Sequence, residues 1–251
     1  MIVYDGTIVT CDENNSIYRF LVEDKGKIVC IGDSLAEKYA DYPRVHLGNK
    51  ALLPSFTDTH IHFASYALFA STVDVRAARN NRELCDILVE YWKSKKPKFV
   101  LAFGASAHSV SEKRLVTRSE IDTALPDIPV MVIKYDGHAS VNNSTMLALL
   151  PKAIASLRGY HGDSGELNQE SFFAATDFIT KKVSPLALLS ALVKGYDRLA
   201  EKGISCIHTV EGVGFPRDLD VDLVRFAARG IRSGFQTRIF FQTFDDKKVM
   251  R

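Results

Sequence analysis

Apolar and polar positions along the chain follow one rhythm up to about residue 50 and another after it. The first segment alternates with a period of two, as half-buried strands do. IVYDGTIVT carries the Asp5-Gly6 turn signal, and SIYRFLVEDKGKIVCIG reads as two strands hinged at Asp24–Gly26. A sheet this small needs a second layer against its apolar face. Turn formers and charge then continue to Lys50. From residue 51, buried-type strands alternate with helical patterns. The predicted strands are ALLPSFTDTHIH from Ala51, KFVLAFG (98–104), IPVMVIKYDG (128–137), GISCIHT (203–209) and FQTRIFFQTF (235–244). Helical periodicity marks about 82–93, 142–150, 171–183, 185–203 (punctuated by Pro185 and Gly203) and DLDVDLVRFAARG. Such alternation predicts parallel βα units, and divides the chain into a β-rich lead, 1–50, and an α/β portion, 51–251. A complete (β/α)₈ barrel takes roughly 250 residues. Five strands in the 201 residues after position 50 therefore fit either an open doubly wound sheet or part of a barrel.

Composition narrows the function classes. The chain is 46% apolar and 25% charged, with 32 Lys+Arg against 30 Asp+Glu and a formal net charge of +2. That is the make-up of a globular chain, and it gives no electrostatic reason to expect nucleic acid or an anionic membrane as partner. No apolar run reaches the roughly 18–20 residues of a membrane span, and MIVYDGTIV is acidic where a signal peptide is basic. The four cysteines (Cys11, Cys30, Cys85, Cys206) have no CxxC spacing, so reduced thiols and a cytoplasmic location are expected. There is no GxGxxG after a strand, no GxxxxGK[ST] and no G-x-S-x-G elbow.

The strongest chemical signal is Asp58-Thr59-His60-Ile61-His62. In a regular strand, positions i and i+2 face the same way and their backbones lie roughly 6.6 Å apart. Both imidazoles can then reach one ion at about 2.0–2.1 Å. Neutral imidazole suits Zn²⁺, Fe²⁺ or Mn²⁺. On spacing alone, a metal pair and two unrelated histidines at a strand end both stay open.

LLPSFTDTHIHF resembles the PGxxDxHxH element of the amidohydrolase superfamily of metal-dependent hydrolases. GKIVCIG (26–32) resembles the lead strand of its amidohydrolase-3 (YtcJ-like) branch, and residues 114–149, GELNQE (165–170) and GISCIHTVEG (203–212) resemble later elements in the same order. The β-rich preface separates this chain from TatD-type nucleases and PHP phosphoesterases, whose similar motif lies close to the N-terminus. Ser55 and Thr209 depart from the branch, which usually has Gly and Asp there.

The resemblance implies an α/β fold with a partial (β/α) TIM-type barrel of about five parallel strands behind the β-rich lead. It implies a divalent metal, zinc first and iron or manganese next, one ion or two, held by His60 and His62. It implies substrate contacts from His138 and Asp136, which follow the third strand, and from His208 at the end of the fourth. A bridging Lys134 and a substrate-bonding Glu170 are weaker readings; an ion-paired lysine and a helix-dipole glutamate explain them more simply. The activity implied is hydrolysis of amides, cyclic amides or other non-peptide C–N bonds in a small molecule. The branch completes its site with further ligands and a general-base Asp, and nothing resembling these follows Phe244. The expectation is an N-terminal half, inactive alone. Two other readings compete: a non-catalytic half-barrel that docks a partner or pairs as a homodimer through open sheet edges, and a phosphoesterase.

Overall fold

The computed structural model describes residues 1–212, 218–230 and 234–243. Its first layer is a mixed sheet of β1 (Ile2–Val9), β2 (Ile17–Asp24), β3 (Lys27–Gly32) and β4 (Arg44–Leu52), in the order β3-β2-β1-β4. The β2–β3 hairpin falls where Asp24–Gly26 predicts it. Val3, Val22 and Tyr39 form this layer's small core.

The segment leading to Lys50 is turn-like only as far as Pro43. From Arg44 it is β4, parallel to β1 and largely exposed, so no burial imprints an alternating pattern on its sequence. ALLPSFTDTHIH is likewise two strands and not one. Ala51 and Leu52 end β4 beside Thr7 and Ile8, and Phe56 opens β5 (Phe56–Ile61) in another sheet. Pro54 lies between them; it has no N–H for a ladder and restricts the residue before it.

The remaining chain runs α1 (Phe63–Ala70), β6 (Val73–Asp74), α2 (Asn81–Lys95), β7 (Val100–Ala105), α3 (Arg118–Ala124), β8 (Val130–Lys134), β9 (Ala139–Asn142) and α4 (Ser144–Leu149). It continues through β10 (Tyr160–His161), β11 (Glu166–Asn168), α5 (Gln169–Thr180), α6 (Pro185–Glu201), β12 (Ile204–Glu211), α7 (Leu219–Gly230) and β13 (Gln236–Phe241). All five predicted strand regions contain strands, though Phe244 lies outside the described residues. The single parallel array that they were expected to form is not observed. β6, β7 and β8 are parallel within a six-stranded sheet of order β10-β11-β9-β8-β7-β6, whose other half is antiparallel. β13, β12 and β5 form a separate parallel sheet. Among the described residues neither sheet closes on itself or on the other.

Local chemistry explains the helices. In α6, the Ser184 hydroxyl accepts the Ala187 amide and Pro185 occupies the first turn. Its buried stripe, Leu188, Leu192, Gly195, Tyr196 and Leu199, has helical spacing. Gly195 lets α1 approach closely: a Cβ there would sit 3.0 Å from Ala67 Cβ, and the Phe63 and Tyr196 rings are 4.3 Å apart. The short α3, which periodicity does not reveal, begins at a capping box formed by Thr117 and Glu120. The Arg114 guanidinium grips the Glu120 carboxylate at 2.7 and 2.8 Å and, with Thr117, holds its pKa down to about 2.

Asn143 ties the β8 layer to its helices. It is fully buried. Its carbonyl accepts from Val130 N and Met146 N, both at 2.9 Å, capping α4. Its amide donates to Leu125 O at 3.0 Å and Ile128 O at 2.8 Å. Asn143→Ala leaves four backbone partners unpaired, three of them buried, and is expected to destabilise the fold by roughly 2–4 kcal/mol. An unshifted urea midpoint would contradict this account.

Candidate functional site

The site lies where β5 hands over to α1. His62 is the residue before α1, yet its side chain makes no cap hydrogen bond. The cap comes from β12. Thr209 Oγ1 accepts the Phe63 amide at 2.9 Å, Glu211 Oε1 accepts the Ala64 amide at 3.0 Å, and Val210 O bonds His62 Nδ1 at 2.9 Å. A carbonyl can only accept, so His62 carries its proton on Nδ1, and in the neutral ring Nε2 is left free as a donor atom for a ligand.

His60 reaches the same place by an irregular route. Ile207 of β12 pairs with Asp58, and Thr209 with Ile61, so β5 fits an extra residue into that interval. Asp58 Oδ1 accepts the His60 amide at 3.0 Å inside this bulge. The His60 and His62 rings stand edge to face with centroids 5.6 Å apart, and both residues are exposed.

A cavity of about 640 Å³ opens beside them, between the α1/α6/β12 core and the β8/α4/α5 core. It brings together His62, Asp136 and His138. Asp136 receives Lys134 Nζ at 2.9 Å and the His138 amide at 3.2 Å, the turn geometry expected of Asp-Gly. Burial raises the Asp136 pKa, but Lys134 and the His138 amide outweigh it and hold it low; the same contact raises that of Lys134. Lys134 is therefore an ion-paired side chain. The His138 ring meets Phe173 edge on, at 6.3 Å. Glu170 also lines the cavity and lies 3.8 Å from Arg158. His60 and His208 are not among the lining residues. His208 instead packs its ring 5.6 Å from that of Phe240.

Two lining carboxyls escaped the sequence reading. Glu211 and Asp220 are 2% and 1% exposed. Glu211 takes a 2.5 Å hydrogen bond from Thr209 Oγ1 in addition to the Ala64 amide. Asp220, in the first turn of α7, accepts the Gly212 amide at 2.7 Å through Oδ2, while its Oδ1 has no partner. Gly212 makes that turn with φ +110°, and a Cβ there would lie 2.5 Å from Gln242 O. Burial pushes the Glu211 acid up to about 7, against the pull of Thr209 and Ala64 and with help from Asp220. Asp220 thus lies close enough to disfavour the Glu211 carboxylate, while its own Oδ1 has no hydrogen-bond partner. One signal in the sequence could have found Glu211: it shares a β12 face with Ile207 and Thr209, so a carboxylate ends an otherwise buried row.

The match to known proteins can now be set beside this geometry. Residues 45–239 match the model of the Amidohydrolase family. The chain belongs to that family. A metal-dependent hydrolase from Pyrococcus horikoshii superposes with a TM-score of 0.65 at 22% identity, covering 96% of this chain and 48% of the other. One from Pyrococcus furiosus gives 0.66 at 18%, covering 96% and 50%. Among curated relatives, the N-substituted formamide deformylase of Arthrobacter pascens is 24% identical over 156 residues, 60% of this chain and 29% of its own. Protein LONG AFTER FAR-RED 3 of Arabidopsis thaliana is 28% identical over 160 residues, 62% and 27% respectively. The chain thus spans about half the length of these solved structures and under a third of these curated relatives.

The family implies a divalent metal. The free His62 Nε2 and the nearby His60 ring suit two positions on such an ion. Among the described residues, however, no group of three or more His, Cys, Asp or Glu is arranged to hold one, and three protein ligands are usual at a catalytic zinc. The donor set is partial, so no reaction step is derived through an ion.

The Glu211 acid predicts a pH dependence of stability. Its pKa rises from 4.5 unfolded to about 7 folded. The native state then holds a proton that the unfolded state releases, and its stabilisation, full below pH 4.5, is lost as the pH rises to about 7. Glu211→Gln keeps the shape and removes the titration. Urea midpoints measured across this window should fall for the parent chain, by up to roughly 3 kcal/mol in stability, and stay flat for the variant. Parallel curves would refute the assignment.

Proposed function

We propose that this chain is the N-terminal portion of a metal-dependent hydrolase acting on non-peptide carbon–nitrogen bonds of small molecules, such as amides or cyclic amides. The observation that carries the reading is the His60–His62 pair, with the His62 tautomer fixed by Val210 O and Nε2 left free. Family membership and the fold likeness to two metal-dependent hydrolases support it. On this reading, the two imidazoles supply two ligands to a divalent ion, zinc in the first instance. Asp136 and His138, which line the cavity, contact substrate. His208 has less support, because its ring lies against Phe240 and outside the lining.

The parallel strands are read as part of a (β/α) barrel, divided from the β-rich lead near residue 50, where β4 ends its sheet at Leu52. The remaining ligands and a general-base Asp lie outside these 251 residues on this reading. A cytoplasmic location is supported by four free cysteines. No described helix is long and apolar enough to cross a membrane. One observation favours a second reading, pairing with another copy: among the described residues β13 lies at the edge of its sheet and carries the exposed Phe240.

Zinc titration of the purified chain tests the hydrolase reading. Weak binding is expected, lost in His62→Ala and reduced at least tenfold in His60→Ala, with no turnover of an amide panel. Zinc uptake unaffected by either substitution overturns the ligand assignment. Robust hydrolysis by the chain alone overturns the claim that its site is incomplete.

A further inference from the structure

Four lysines crowd into six residues where α2 ends: Lys93, Lys95, Lys96 and Lys98. All four are exposed, and none takes part in an ion pair among the described residues. No Asp or Glu occurs between Glu90 and Glu112, so this stretch carries no acid of its own. The loop before β8 is tied to the start of β7 by Val100 N, which donates to Pro129 O at 2.8 Å. It holds one acid, Asp127, which also lies outside the ion pairs of the described residues.

The helix end by itself does not account for this charge. A macrodipole leaves about half a negative charge at a C-terminus, against four ammonium groups here, and Lys98 lies beyond the helix, past Pro97. Lys96 caps α2 in the left-handed conformation, φ 48°, a position that favours Gly or Asn. Its ammonium stands 4.0 Å from the centroid of the Trp92 ring, which fixes one of the four charges against the surface. The patch is remote from the candidate site. Lys98 precedes β7, whereas Phe103, near the far end of that strand, lines the cavity; extended chain between them spans roughly 16 Å.

Like charges held this close repel one another, and an anionic partner relieves the repulsion. Nucleic-acid surfaces interleave such charge with aromatic faces on which bases stack; Trp92 is half-buried, and its ring already carries Lys96. A membrane surface calls for apolar side chains that insert beside the charge; none of the exposed large apolar residues lies between 91 and 99. Carboxylates on a protein chain need neither feature. We infer that the end of α2 is a docking surface for an Asp/Glu-rich segment of another protein, attracted by Lys93, Lys95, Lys96 and Lys98. This goes beyond the hydrolase reading and does not depend on it.

The test is a fluorescence-anisotropy titration of fluorescein-labelled octaglutamate with the 251-residue chain. The parent chain is expected to bind at about 50 mM NaCl, and at least fivefold more weakly at about 200 mM, since exposed charges are screened. Lys93→Gln, Lys95→Gln, Lys96→Gln and Lys98→Gln together should cost at least tenfold in affinity. A control removes the same charge from exposed positions of the β-rich lead: Lys25→Gln, Lys27→Gln, Lys38→Gln and Lys50→Gln together should cost less than twofold. No binding by the parent, or equal losses in the two variants, overturns the inference. Oligo(dT) or phosphatidylserine vesicles binding the parent more tightly than octaglutamate overturns the choice of an acidic protein. Should the four changes at the end of α2 unfold the chain by circular dichroism, Lys98→Gln alone, outside the helix, decides: a loss of at least twofold supports the patch, and an unchanged affinity overturns it.

Discussion

The end of β12 holds the start of α1, and the site depends on that contact. A helix begins with amide groups that have no partner within it, and the first residues of α1 offer no side-chain cap of their own. Thr209 and Glu211, some 146 residues further along the chain, accept the Phe63 and Ala64 amides, and the carbonyl between them takes the His62 ring. One strand end thereby caps a helix, sets a tautomer and buries a carboxyl. The coupling also explains why a polar Thr and an acid are accepted in a buried row: each is paired with an amide that would otherwise be unsatisfied.

The same contact places the chemistry next to the cavity. Glu211 turns into Gly212, whose amide reaches Asp220 at the head of α7, so the acid pair is assembled from two elements meeting at one turn. α1 continues from His62 to Phe69, where the aromatic wall begins, and α5 supplies the opposite side through Phe172 and Phe173. A donor atom on His62, a buried carboxyl pair and an aromatic surface thus lie around one space because α1 crosses between the two cores.

Legibility in the sequence followed the range of the interactions. The β2–β3 hairpin, the buried run of β8 and the capped amphipathic α6 were readable because a turn residue, an apolar run or a Ser-Pro start fixes each within a few positions. α1 was not readable, since its caps lie on β12. β4 was hidden because both its faces are largely exposed. The histidine pair was found through an i, i+2 argument that assumes a regular strand, whereas β5 bulges between Asp58 and Ile61 and His62 lies outside it. The two rings come together nonetheless, because Val210 anchors the second one.

By itself the sequence determined the small leading sheet, the positions of the βα strands, the paired histidines and the Asp-Gly turn that carries His138. All of these follow from local periodicity, turn chemistry or motif. Only the tertiary structure decided that the parallel strands divide into two sheets, that Glu211 and Asp220 meet, and that His208 packs on Phe240 outside the cavity lining. Strand order and carboxyl burial depend on contacts between residues far apart in the chain, and no window of sequence contains both partners.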